Sequence, residues 1–176
     1  APIGQDALAV IAHPTNDVPG MTTAQLREVY GGDITRWEAL GGRAGEIAVI
    51  TPDASAGLRG EFDASLMGAR AISPAAQVVP NEAAMLRTVS RQVGAVGYVS
   101  LSALDESVRA LPIDGILPTA DSVYDSSYPL RTTIYIVGRA EPQDDDYPEM
   151  RAFIGWVQSL EGQQIVGQRY APLLRP

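Results

Sequence analysis

The sequence predicts an α/β fold, a sheet covered by helices within one domain, and three observations predict it. Short apolar runs rich in β-branched residues alternate with stretches whose apolar residues recur at helical spacing. The 17 Gly and 13 Pro are scattered between these runs rather than clustered, as short α/β loops require. A chain of 176 residues with 45% hydrophobic and 19% charged residues can also bury a core of its own.

Ala7 to His13 (ALAVIAH) reads as a buried strand closed by Pro14. Thr22 and Gln25 then stand at capping-box spacing and Met21 and Leu26 at staple spacing, so a helix is expected over Thr23 to Tyr30, stopped by Gly31 and Gly32. Ile47 to Thr51 is a second buried strand. After the loop Pro52 to Gly57, Leu58, Phe62 and Leu66 repeat every four residues on one helical face. Gln77 to Val79 is a short strand, and Asn81 is placed to cap a helix that buries Met85, Leu86, Val89 and Val93. Val96 to Val99 and Thr132 to Val137 read as further strands, with a short helix near Ala120 to Tyr124 between them. From Pro148, the residues Met150, Phe153, Ile154, Val157 and Leu160 form one stripe, and Ile165 and Val166 belong to a second short helix. The alternation of strand and helix predicts a mostly parallel sheet.

The charge balance excludes several partners. A net charge of −8 leaves no broad positive surface for nucleic acid or for insertion at an anionic membrane. With no Cys and with His13 as the one histidine, disulfides, thiol catalysis and a transition-metal site are not expected, and no cofactor is implied. The opening Ala1-Pro2-Ile3-Gly4 has no basic and apolar leader pattern, so an exported protein would have its signal peptide outside this chain.

The loop Asp53-Ala54-Ser55-Ala56-Gly57 is the sharpest local feature. A strand-to-helix turn presents free main-chain N–H groups and the positive end of a helix dipole, which suits an anion. Ser55, Ala56, Gly57, Leu58 and Arg59 are therefore the candidate ligand-binding residues, the first four around the helix start and Arg59 as a nearby charge. The plainer reading is that Ser55 or Asp53 caps the helix. D-A-S-A-G also has a faint likeness to a nucleophile elbow, but its first Gly is missing and His13 precedes Ser55 where such hydrolases place their base after it. Asp144 to Asp146 lack the spaced ligands of a calcium loop and read as a solvated acidic run. Trp37 and Trp156 read as packing anchors.

Taken in order, Ile3 to Val10, Met21 to Arg27, Gly32 to Trp37, Gly94 to Val99, Ser127 to Leu130 and Ser159 to Gln163 resemble the phosphate ABC-transporter substrate-binding family over nearly the whole chain. That resemblance implies a type II periplasmic binding protein-like fold, in which two α/β lobes joined by crossing strands hold an oxyanion between them. Here residues 7–137 would form one complete lobe with its crossing strands, Ala7 to His13 and Thr132 to Val137. Residues 138–176 would supply only the C-terminal helices of a partial second lobe, within a single domain spanning residues 1–176. Family members similar to this chain carry an Arg shortly before a Ser-Gly-Thr at the helix start, where this sequence has Pro52 and Ala56-Gly57-Leu58. Charge-assisted bonds contribute about 1.5–3 kcal/mol each, so losing three side-chain donors weakens oxyanion binding by several orders of magnitude.

The resemblance thus implies a non-catalytic solute-binding-type domain with a degenerate oxyanion site, exported to the periplasm or cell envelope. Its expected partners are a small oxyanion such as phosphate, an ABC permease, or a partner supplying the missing lobe. An alternative is an interaction or scaffold module of an envelope protein without a small-molecule ligand; a serine hydrolase is the distant one. A truncated family member is also expected to expose an apolar face and to cover it by self-association.

Overall fold

One long strand organises the chain, because its two halves belong to different neighbours. The computed structural model describes residues 1–43, 45–138 and 148–175. Strand β1 (Pro2–Ala12) pairs antiparallel with β6 (Arg131–Tyr135) along its first half, from Pro2 opposite Tyr135 to Ala7 opposite Arg131. Its second half, Leu8 to Ala12, pairs antiparallel with β4 (Ala95–Ser100), and its last two residues also pair with β5 (Arg109–Ala110). Strand β2 (Ala48–Pro52) lies parallel to both β4 and β3 (Gln77–Val79), which gives the order β3-β2-β4-β1-β5. The sheet is therefore mixed rather than mostly parallel. A strand buried on both faces gives the same unbroken apolar run in either direction, so periodicity could not reveal that β1 runs against β4. The ribbon of β1 with β6 begins at Pro2, ahead of the Ala7 start read from the sequence.

Alternating residues of β1 and β4 face two separate cores. Leu8, Val10, Val96 and Tyr98 pack on one side with α1 (Thr23–Gly31) and α2 (Gly57–Phe62), where Tyr30, Phe62 and Tyr98 form a ring cluster with Phe62 and Tyr98 stacked at 4.0 Å. Ala9, Ile11, Ala95 and Val99 pack on the other side with Met85 and Val89 of α3 (Glu82–Val89). The capping box of α1 forms as read: Thr22 Oγ1 accepts from the Gln25 N–H at 3.1 Å and Gln25 Oε1 from the Thr22 N–H at 2.8 Å. Gly32 ends the helix at φ +87°, a conformation that favours glycine. Asn81 caps α3, but the helix ends at Val89, which leaves Val93 61% exposed rather than buried. The helix read through Leu66 changes character at Asp63, where a π-helical segment Asp63–Met67 follows α2.

The short helix α4 (Ala120–Tyr124) lies where it was read, and α5 (Pro148–Val157) and α6 (Leu160–Val166) close the chain. The stripe on α5 does not form a core. Val157 is buried, whereas Phe153, Trp156 and Leu160 are exposed, so Trp156 is not a packing anchor, unlike the buried Trp37. The run Asp144 to Asp146 lies outside the described residues. No helix among the described residues is long and apolar enough to cross a membrane.

Candidate functional site at the carboxyl edge of the sheet

Strand register brings the ends of β2, β3 and β4 to the same edge of the sheet as the first half of β1. Leu8 lies opposite Ser100 at the end of β4, while Ala12 lies opposite Val96 near its start. In open α/β sheets, ligands bind outside the carboxyl ends of the strands. Along this edge stand the loop from Asp53 into α2, the start of α3 at Asn81 and Glu82, the turn Ser100 to Ser102, and Asp6 of β1.

The candidate residues from Ser55 to Arg59 sit at this edge and are used in different ways. Ser55 is exposed, and both its N–H and its hydroxyl donate to Asp53 Oδ1, at 2.9 and 2.6 Å. This turn spends one more residue before the helix starts, so neither Ser55 nor Asp53 caps α2. The N-cap is Ala56, at φ −73° and ψ 135°, and no side chain bonds to the helix start. The N–H groups of Gly57 and Leu58 stand at helix positions that no intrahelical carbonyl serves. A Cβ at Gly57 would meet nothing within 4 Å, so this main chain faces open space. The Leu58 side chain turns away and packs against the core, leaving its amide as the group it can offer.

Arg59 is turned into the protein, with a side chain 17% exposed. Its Nε donates to Asp63 Oδ2 at 2.9 Å and its Nη1 to Thr51 Oγ1 at 3.4 Å. Thr51 in turn lies 3.2 Å from the buried Tyr98 hydroxyl. Burial raises the Tyr98 and Tyr30 phenols above their ordinary range, so both stay protonated as hydrogen-bonding groups. Asp63 Oδ1 is buried without a hydrogen-bond partner, which ties this carboxylate all the more to the guanidinium at its other oxygen.

Beside the α2 start lies a group of residues that motif reading missed. The Ser100 hydroxyl donates to Asp6 Oδ2 at 2.5 Å and stands 2.6 Å from the Ser102 hydroxyl, while the Ser100 N–H donates to Glu82 Oε1 at 2.5 Å. Partial burial, with the charge of Asp6 adding to it, pushes the Glu61 carboxyl up, whereas the Ser55 hydroxyl and then its N–H hold Asp53 below the usual carboxylate range. The edge thus carries the carboxylates of Asp6, Asp53, Glu61 and Glu82, and the Arg59 charge adds to the lowering at Asp53 while its guanidinium bonds Asp63 and Thr51. These residues lie far apart in the chain and only strand order unites them; a place just beyond a strand end was the one signal available.

Ser55 and His13, the two parts of a hydrolase reading, lie apart. The Ser55 proton goes to Asp53, and His13 follows β1 at the opposite edge, where its Nδ1 lies 2.9 Å from Thr15 Oγ1. Among the described residues, no group of three or more His, Asp or Glu side chains could hold a metal ion.

Comparison with known proteins agrees with this architecture. The chain is similar to the phosphate-binding protein PstS of Bacillus subtilis, with 30% identity over 70% of this chain and 41% of the relative. It is also similar to the phosphate-binding protein PstS 2 of Streptococcus pneumoniae, with 33% identity over 70% of this chain and 44% of the relative. The chain therefore spans less than half the length of these curated relatives. Among solved structures, an ABC-type phosphate transport receptor from Vibrio cholerae superposes with a TM-score of 0.87 at 27% identity, covering 99% of this chain and 72% of the receptor. Residues 1–161 match the model of the PBP superfamily domain, and the chain belongs to that family.

Proposed function

We propose that this chain is a non-catalytic solute-binding-type domain whose oxyanion site has been reduced to main-chain amides. The observation that carries this reading is the start of α2, where Ala56 supplies no cap, open space lies beside Gly57, and Arg59 is held by Asp63 and Thr51. Relatives named for phosphate binding make phosphate the reference ligand to test. An ABC permease as docking partner and a place in the periplasm or cell envelope belong to the same reading. Ser55 without a base supports the absence of catalysis.

Thermal unfolding in the presence of phosphate or sulfate tests the proposal. Only a weak binder is expected, with a rise of no more than about 1 °C at millimolar anion. A rise of about 10 °C at the same concentration would require micromolar affinity and would overturn the reduced site.

A second reading, an interaction module without a solute, is favoured by the apolar surface on β6, α5 and α6. Tyr135, Val137, Phe153, Trp156, Leu160 and Ile165 are each more than 40% exposed there, and patches of this kind mark protein contacts.

A further inference from the structure

After α6 the chain turns back across the β1–β6 ribbon and ends on α4. Ala171 exchanges two main-chain hydrogen bonds with Gln5 of β1, at 2.8 and 2.9 Å, and the Leu173 N–H donates to the buried Gln163 Oε1 at 2.5 Å. Arg175 then contacts both ends of α4 in three ways. Its Nη1 donates to Asp121 Oδ1 at 2.5 Å, its Nη2 donates to the Ala120 carbonyl at 3.1 Å, and its guanidinium carbon lies 4.3 Å from the Tyr124 ring centroid. Between the Gln5 anchor and the Arg175 anchor lies a cavity of about 270 Å³, bordered by Asp6 and Leu101 on the sheet side, Ala120 on α4, and Gly167 to Ala171 on the returning segment.

We infer that the segment from Gly167 to Arg175 is a strap, with Arg175 as its catch, that fixes α6 relative to the sheet and closes one side of this cavity. Among the described side chains of α5, Val157 is the buried one and the other apolar ones are partly or fully exposed, so beyond the buried Gln163 few packed side chains hold this end of the chain. A catch therefore has motion to restrain. Arginine suits the position because its planar fork can bond a carboxylate and a carbonyl while its face lies on an aromatic ring, which a lysine ammonium cannot reproduce. The Asp121 side chain is 82% exposed, so the ion pair is open to screening and the catch is releasable by salt. This inference stands on the strap's own geometry and does not depend on a ligand at the carboxyl edge.

Amide hydrogen exchange of the whole chain tests it, comparing the wild type with Arg175→Ala and Arg175→Lys. In Arg175→Ala, amides from Gly167 to Leu174 and those of α6 are expected to exchange about tenfold faster, with β2, β4 and α3 unchanged. Arg175→Lys should recover only a minor part of the protection. Wild type in about 0.5 M salt should shift in the same direction as Arg175→Ala. Unchanged exchange from Gly167 to Leu174 in Arg175→Ala would overturn the strap. So would equal acceleration across the whole chain, because the residue would then support global stability rather than one segment.

Discussion

At the scale of single residues, the turn at Asp53 shows why a suggestive loop is not by itself a binding device. The same pattern occurs twice more: Ser107 donates its N–H and hydroxyl to Asp105 Oδ1, and Ser127 donates its N–H to Asp125 Oδ1. In all three these serine hydrogen bonds lower the carboxyl below its usual range. Asp-X-Ser closes a local turn at these three loop positions, whereas Asp63-Ala64-Ser65 lies within the π-helical segment, and Ser55 is spent on its turn. The structure leaves Ala56 at an N-cap with the extended backbone that capping serines adopt. Ala56→Ser is therefore expected to stabilise the fold by about 0.5–1 kcal/mol, visible as a melting temperature higher by about 1–4 °C. A lower melting temperature would show that the α2 start is not the open cap described here. The loop itself was legible in the sequence. The direction of Arg59 was not, because an arginine one turn into a helix can point to solvent or, as here, back to a threonine on the preceding strand and a carboxylate four residues on.

At the scale of elements, strong local signals carried over and tertiary ones did not. The capping box at Thr22 and the Asn81 cap could be read because each uses partners within three residues. The π-helical turn after Phe62 has no such local marker, and strand direction leaves no trace in an apolar run. Gln163 is the clearest case of a role hidden from local reading. Within the Ser159 to Gln163 segment it looks like a surface residue, yet it is 1% exposed. Its Nε2 donates to the carbonyls of Ile3 and Val157, both at 2.9 Å, and its Oε1 accepts from the Leu173 N–H. One side chain thus joins β1, α5 and the returning strap. Gly162 beside it admits no Cβ, since one would fall 2.2 Å from the Trp156 carbonyl. Replacing Gln163 with Leu keeps the volume but strands these partners, at a cost of about 2–4 kcal/mol. Circular dichroism should show melting lower by about 5–15 °C, while Gln164→Ala at the exposed neighbouring position should melt as the wild type does.

At the scale of the whole molecule, the sheet packs two cores around β1 and β4, whereas among the described residues β6, α5 and α6 expose several apolar side chains. The amphipathic stripe on α5 was legible in the sequence, but a stripe reports that a face seeks cover and not whether the chain supplies it. Phe153 and Trp156, with ring centroids 6.4 Å apart, stand with Tyr135, Val137, Leu160 and Ile165 on this surface. Aromatic side chains carry about 150–250 Å² each, so the exposed parts of these six residues amount to roughly 600 Å² of apolar surface, not far below the ~800 Å² that each partner contributes to a stable interface. Among the described residues β6 pairs only with β1, so an unpaired strand edge lies beside the apolar patch, and antiparallel pairing between two copies could use both together. The net charge of −8 opposes such pairing, and salt should promote it by screening. Sedimentation of the isolated chain at tens of micromolar in moderate salt is therefore expected to show dimers or larger species, and Trp156→Glu should return it to monomer. A wild type that stays monomeric at about 100 μM would remove self-association as the means of covering this face.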